Sequence, residues 1–289
     1  MALVSIVLPV YNGERFMKES IDSVLGQSFS DWELIIVDDC STDNTYEIAK
    51  SYADADPRIT VIRNNVNKRL PASLNVGFEN ARGKYFTWTS DDNVAKSNWL
   101  SVLVDYLDKN PDVDMVSAMM DYIDENGDLF FNPGHKRTVY ALPYISNVGA
   151  AFMYRRAIAE KIGVYDESAF CAEDYDYWCR IALNGNLVYI PDNVYKYRIQ
   201  ANSLTMLYDK KVKEKVARVQ AKYRKDFIEK FNLSYYNRMK LEYLSCGHKY
   251  KPFFVLFDIY KFLLKNTTNL FLFWNRDLRR KTYRKYRIQ

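Results

Sequence analysis

Four short apolar runs, each closing on a polar loop and each followed by a helical repeat, constrain this chain more than any other feature. Leu3 to Leu8 is a near-continuous apolar run ended by Pro9, as a central strand covered on both faces requires. Glu14 to Gln27 then carries Met17, Ile21, Val24 and Leu25 at helical spacing. Glu33–Val37, Ile59–Arg63 and Tyr85–Thr89 read as the next strands. Between them, the cap-forming run Ser41-Thr42-Asp43-Asn44 opens a helix with Tyr46, Ala49 and Ala53, and Pro71–Ala81 is a second helix. Ser97 is expected to cap a further helix, with Leu100, Leu103, Val104 and Leu107 on one stripe. This alternation calls for right-handed βαβ units and a largely parallel α/β sheet. Ligands in such sheets bind off the carboxyl ends of the strands, so the loops of interest are Pro9–Asn12, Asp38–Ser41, Arg63–Arg69 and Ser90–Asn93.

Beyond Met115 shorter elements are expected. Glu125-Asn126-Gly127-Asp128 is a hairpin signal, a helix falls near Glu173–Asn184, and strand pattern returns at Val188–Arg198. From Asp209 the register is helical, with Val212, Val216, Val219, Tyr223 and Phe227 on one face, which core packing against the preceding domain would explain. A second amphipathic stretch spans Phe253–Leu264, followed by the cluster Leu270–Trp274.

Composition closes off other classes. Hydrophobic residues are 48% and aromatic ones 16% of 289, too much apolar surface for a disordered chain. The Cys at 40, 171, 179 and 246 form no zinc or disulfide framework and read as reduced cytosolic thiols. With only His135 and His248, a His-rich metal site is excluded and a Ser-His-Asp triad is disfavoured. The N-terminal apolar run lacks a basic flank, so a buried strand is expected there and not a signal peptide. No segment reaches the roughly 18 uncharged apolar residues of a membrane-spanning helix.

Charge is unevenly divided. Residues 1–205 carry 19 Lys and Arg against 29 Asp and Glu, a balance of −10, whereas residues 206–289 carry 22 against 7, a balance of +15. Such a tail points to an anionic partner, either a lipid surface or nucleic acid. The apolar faces beside it resemble interfacial helices and favour the lipid surface, and the seven bases between Arg276 and Arg287 would hold the chain reversibly at the cytoplasmic face. Interleaved Tyr keeps a nucleic-acid role open as the weaker alternative.

Carboxylates cluster at the strand ends, in Val37-Asp38-Asp39-Cys40 and Ser90-Asp91-Asp92-Asn93. Adjacent acids after a buried strand repel one another, and a divalent cation relieves that cost. The pair Asp91-Asp92 offers hard oxygens but too few for a cage, which suits Mg²⁺ or Mn²⁺ completed by water and phosphates. Turns and caps use Asp freely, so the pair alone is equally compatible with a structural role.

The set in order is more specific. Ser5-Ile6-Val7-Leu8-Pro9-Val10-Tyr11-Asn12-Gly13-Glu14, Gln27-Ser28-Phe29, Trp32 to Asp43, Ala81-Arg82-Gly83-Lys84-Tyr85, Ser90-Asp91-Asp92 and Glu173-Asp174-Tyr175-Asp176-Tyr177-Trp178-Cys179-Arg180 together resemble the family 2 inverting glycosyltransferases of the GT-A fold. The likeness runs from about Val4 to Thr205. It implies a catalytic domain over residues 1–205, with a nucleotide-binding half at 1–110 and an acceptor half at 111–205, and a helical, basic region at 206–289. It also implies that Pro9 and Tyr11 lie against the nucleotide base, that Asp39 accepts a hydrogen bond from a base N–H, and that Arg69 meets the base or the diphosphate. Asp91 would contact the ribose and Asp92 the metal, Mn²⁺ or Mg²⁺. Asp174 would be the general base toward the acceptor hydroxyl, with Glu173 as the alternative if the register is displaced by one. Asp176, two residues on, fits a solvated acid in the first turn of a helix.

The implied reaction moves one sugar from a nucleotide-diphosphate donor, UDP-linked by preference, to a glycan or lipid-linked acceptor in polysaccharide, glycolipid or other cell-surface glycan synthesis. Hexosyl transfer of this kind needs the leaving phosphates neutralised and one carboxylate to take the acceptor proton. Two departures weaken the expected metal grip: Thr89 stands where the family often has a further Asp, and Gln200 where it often has His. The Gln-x-x-Arg-Trp motif of processive synthases is absent. The competing class is a nucleotide-sugar-binding protein that has lost catalysis, against which the intact Asp91, Asp92 and Asp174 argue.

Overall fold

The structure is a computed structural model that describes residues 2–131, 138–200, 203 and 207–233. These belong to one compact unit. The stretches Phe253–Leu264, Leu270–Trp274 and Arg276–Arg287, with His135, His248 and Cys246, lie outside the described residues.

The expected alternation forms: β1 (Val4–Val10), α1 (Met17–Leu25), β2 (Trp32–Asp38), α2 (Thr45–Ala55), β3 (Ile59–Arg63), α3 (Leu70–Glu79) and β4 (Tyr85–Trp88). A two-residue β5 (Val94–Ala95) and α4 (Trp99–Lys109) follow, then β6 (Met115–Ile123), β7 (Leu129–Phe131), β8 (Phe152–Arg155) and α5 (Arg156–Ile162). Last come α6 (Glu173–Asn184), β9 (Leu187–Arg198) and α7 (Asp209–Lys230). The strands make one mixed sheet in the order β3-β2-β1-β4-β8-β6-β9-β5, with β7 paired to β6. Pairing is parallel from β3 to β4, β8 runs antiparallel between β4 and β6, and β9 is again parallel to β6. The parallel half is built by helical crossovers, and the reversal at β8 begins the second half.

The alternation of β1 decides what covers each face. Val4, Ile6, Leu8 and Val10 enter a core with Met17, Ile21 and Val24 of α1 and Leu100, Leu103 and Leu107 of α4. Val7 points the other way, into a core with Leu74 of α3 and Tyr175, Trp178 and Ile181 of α6. Burying each such side chain stabilises the fold by about 1.5–3 kcal/mol. A Cβ on Gly77 would stand 2.3 Å from Val7 Cγ1, so α3 sits on β1 only because that position has no side chain. Ser5, inside the strand, is buried and satisfied: its hydroxyl donates to Glu33 Oε1 at 2.6 Å and accepts from the Gly83 N–H at 2.8 Å.

Two local expectations are corrected. Ser97 does not cap α4; the N-cap is Asn98, without a side-chain capping bond, and the Ser97 carbonyl accepts from the Ser28 N–H instead. Asp176 is not a solvated acid. It is 1% exposed, and its carboxylate accepts from Arg180 Nε at 2.9 Å, Lys222 Nζ at 2.9 Å and the Tyr223 hydroxyl at 2.8 Å. Sequence spacing shows the Arg180 partner, four residues on, but not Lys222 and Tyr223, which arrive from α7.

Helix α7 is thereby joined to α6 by charge as well as by the apolar face of Val219, Tyr223 and Phe227, all buried. Replacing Asp176 with Ala removes the buried acceptor of three hydrogen bonds, a change that costs about 1–3 kcal/mol because Lys222 is half-exposed and can be rehydrated. Urea unfolding of the Asp176→Ala variant should show that loss, and an unchanged midpoint would mean that α7 docks by its apolar face alone.

Candidate functional site

Three loops meet at the carboxyl ends of β1, β2 and β4. The first leaves β1 through buried Pro9 and Tyr11, whose ring is 50% exposed and free to face a ligand. Asn12 then takes a left-handed turn, φ 54°, with its N–H on Ser41 Oγ at 3.0 Å and its side-chain oxygen accepting from the Thr42 N–H at 2.8 Å. The adjoining Gly13 N–H donates to Thr45 Oγ1 at 2.8 Å, so the first loop is sewn to the second.

The second loop follows β2. Asp38 is fully buried and faces Arg63 Nε at 3.1 Å, an ion pair whose geometry is off that of an aligned hydrogen bond. Asp39, 3% exposed, accepts from Asn64 Nδ2 and the Lys68 N–H, both at 2.8 Å, and from the Arg69 N–H at 2.7 Å. Three of the four lone-pair positions of this carboxylate are therefore taken by the loop that carries Arg69, and one remains. Arg69 itself sits at φ 72°, a conformation that a side-chain-bearing residue adopts only when its surroundings hold it there. The Asp39 bond supplies that hold.

The third loop carries the acid pair. Ser90 Oγ donates to Asp92 Oδ1 at 2.7 Å, and Gln200 Nε2 donates to Asp92 Oδ2 at 2.6 Å. Asp91 packs against Gly13 so closely that a Cβ there would lie 2.3 Å from Asp91 Oδ2, which explains the glycine in the first loop. Burial, then the charge of Asp92, push Asp91 up to about 7. Thr89 is turned into the core, its hydroxyl sharing a hydrogen bond with that of Tyr195.

One residue that sequence reasoning left without a role organises this loop from below. Arg198, at the end of β9, is 1% exposed. Its Nε donates to the Asp92 carbonyl at 2.8 Å, Nη1 to the carbonyls of Asp124 and Glu125 at 3.1 and 3.0 Å, and Nη2 to Glu19 Oε2 at 2.5 Å. Its own N–H is held by Asn93 Oδ1 at 2.9 Å. Sequence pattern placed Arg198 only at the end of a strand, because its partners are 73 to 179 residues away, beyond the reach of any spacing rule.

Glu173 and Asp174 open α6 as a second centre. Glu173 is 5% exposed and its Oε2 accepts from the Cys171 N–H at 2.7 Å, while half-buried Asp174 accepts from the Tyr175 N–H at 2.6 Å. Burial, then the charge of Asp174, drive Glu173 up to about 8; burial also raises Asp174. The two centres are linked through Arg69, whose guanidinium lies 5.1 Å from the ring centroid of Phe170, three residues before Glu173.

Profile comparison matches residues 5–163, more than half of the chain, to glycosyl transferase family 2. An uncharacterized glycosyltransferase of Haemophilus influenzae is 28% identical over 248 residues, covering 81% of this chain and 74% of that protein. Another, from Rickettsia prowazekii, is 33% identical over 70% of this chain and 66% of its own length. Among solved structures, S. aureus TarS residues 1–349 in complex with UDP-GlcNAc aligns with a TM-score of 0.63 at 20% identity, over 78% of this chain and 71% of that one. The mannosyltransferase PcManGT of Pyrobaculum calidifontis, in complex with GDP-Man and Mn²⁺, aligns with a TM-score of 0.57 at 18% identity, over 75% and 68%. These neighbours share the GT-A fold, in which a curled mixed sheet is flanked by helices.

The raised Glu173 makes a pH signature. Because the folded chain keeps this proton while the unfolded chain releases it near pH 4.3, stability falls as pH rises through the window from about 4.3 to about 8. Melting curves of the wild type and Glu173→Gln should diverge across that window, the wild type losing stability faster. Parallel curves would assign the pH dependence to other groups.

Proposed function

The chain belongs to glycosyl transferase family 2, and from that membership we propose that it transfers a single sugar, with inversion, from a nucleotide-diphosphate donor to an acceptor hydroxyl. The observation that carries this reading is the meeting of the three loops, with Tyr11 exposed and Asp91 and Asp92 side by side. A UDP-linked hexose is the preferred donor, supported by the alignment with TarS bound to UDP-GlcNAc. Tyr11 and Pro9 flank the base, the remaining lone pair of Asp39 accepts from it, and Asp91 meets the ribose.

The acid loop fits a Mn²⁺ or Mg²⁺ ion. Each Asp92 carboxylate oxygen accepts one neutral donor and has a lone pair to spare, and among the described residues no Lys or Arg forms an ion pair with the side chain of Asp91 or Asp92. Two adjacent carboxylates are too few to cage an ion, so Mn²⁺ or Mg²⁺ there would be completed by water and substrate phosphates. Asp92, oriented by Ser90 and Gln200, would be its protein ligand; bound there, the ion would neutralise charge on the leaving phosphates.

The acceptor hydroxyl gives its proton to Asp174. Of the acid pair, Glu173 is the more deeply buried, and burial and then the charge of Asp174 raise its pKa, so the more exposed Asp174 is the better placed to meet an acceptor hydroxyl and act as base. No second carboxylate nucleophile is required for a single displacement. The acceptor is expected in the class of glycans and lipid-linked sugars. The +15 balance of residues 206–289 supports a reversible hold on an anionic membrane surface; among the described residues no helix is long and apolar enough to cross a membrane.

Two substitutions test the assignment of roles. Asp92→Asn should weaken Mn²⁺-dependent UDP binding and abolish transfer, and titration curves that match the wild type with and without EDTA would remove Asp92 from the metal site. Asp174→Asn should retain donor affinity while kcat falls by about 10²–10⁴. Near-normal transfer by that variant, with loss in Glu173→Gln, would move the base by one position.

A further inference from the structure

Two cations from distant parts of the chain converge on one aromatic ring between the loop cluster and the acid pair. Arg69 holds its guanidinium carbon 5.1 Å from the Phe170 centroid, and Lys211 holds its ammonium 5.0 Å from the same point. The head groups are therefore no more than about 10 Å apart. Arg69 arrives on the loop that Asp39 fixes, with its N–H 2.7 Å from Asp39 Oδ2, and Lys211 arrives on the first turn of α7, outside the 5–163 segment that matches the family.

This placement is electrostatically unfavourable as it stands. The two charges repel, Lys211 is half-buried, and it stands at the positive end of a 22-residue helix, where cations are disfavoured. Arg69 faces the Phe170 ring alone and Lys211 faces Phe170 and, at 5.6 Å, Tyr208, and each such aromatic contact offsets only about 0.5–1 kcal/mol. Among the described residues neither head group has a carboxylate partner. Lys215, one turn further along α7, is already committed to the Ser168 carbonyl. All three cations act on the Cys171 thiol, lowering its pKa against the burial and the Glu173 charge that raise it, so their fields overlap at the Phe170-Cys171 corner. A group that brings two or more negative charges satisfies all of this at once.

We propose that Lys211, together with Arg69, forms a subsite for the diphosphate of the nucleotide donor, so that α7 completes the donor site. This rests on the transferase reading above. In that reaction the bond between the anomeric carbon and the β-phosphate oxygen breaks and leaves its electron pair on that oxygen. The new bond forms to the acceptor oxygen, whose proton passes to Asp174. Lys211 keeps its own proton and acts by stabilising the charge that the departing diphosphate gains.

The test is a titration of the full chain, in the presence of Mn²⁺, with UDP and GDP and with the matching nucleosides, uridine and guanosine. For whichever diphosphate the wild type binds, Lys211→Ala should weaken its affinity about 10-fold or more, as expected for a lost charge-assisted contact, and leave the nucleoside affinity unchanged. Lys211→Arg should bind the diphosphate nearly as the wild type does. Wild-type diphosphate affinity in Lys211→Ala overturns the subsite, and so does an equal loss for diphosphate and nucleoside, which would make the lysine a structural support. If the wild type binds neither diphosphate, the transferase reading itself falls and this proposal with it.

Discussion

A single buried guanidinium holds the acid loop to the rest of the protein. Arg198 is buried away from water, so its charge must be met by the protein, and four of its five N–H donors are met by three backbone carbonyls and one carboxylate. Those partners come from the β4 exit loop, the β6–β7 turn and α1. Fixing the Asp92 carbonyl from below fixes the direction of the side chain above it, which Ser90 and Gln200 then complete. Parallel strands bring the loops to one edge of the sheet, and this charge fixes the β4 loop backbone on which Ser90, Gln200 and Gly13 then orient the two carboxylates.

Asp39 performs the corresponding task for the donor loop with the opposite charge. A nearly buried carboxylate that accepts from two successive backbone N–H groups and from Asn64 holds Arg69 in a left-handed conformation it would otherwise leave. Asp176 repeats the device a third time, tying α6 to α7 through Lys222 and Tyr223. Three buried ions, each satisfied at least in part by groups remote in sequence, thus hold the acid loop, the donor loop and the α6–α7 pair in place. The same locking carries the influence of α7 toward the site, since the helix that holds Asp176 also begins with Glu173 and Asp174.

Most of the first half was legible in the amino-acid sequence because its signals are local. Strands β1 to β4 follow from apolar runs, α1 to α4 from the 3.6-residue stripe, and the acid-bearing loops from their position after buried strands. Helix α6 was placed to the residue. The Glu125–Asp128 turn was also readable, since Gly127 at φ 88° and the Asp124 side chain are the expected turn chemistry. Ser97 was misread as a cap because two adjacent residues, Ser97 and Asn98, carry equally suitable side chains, and local pattern cannot choose between them.

The sequence by itself determined which segments are strands and helices, which residue types stand at the strand ends, and the family to which the chain belongs. It could do so because side-chain periodicity and motif order are properties of neighbours along the chain. Only the tertiary structure decided that Asp39 holds Arg69, that Arg198 reaches Glu19 across 179 residues, that Asp176 is a buried ion and not a solvated one, and that Lys211 and Arg69 share one ring. Each of these is a choice of partner for a charge, and a charge selects its partner by distance and desolvation in the folded state, which spacing along the chain does not encode.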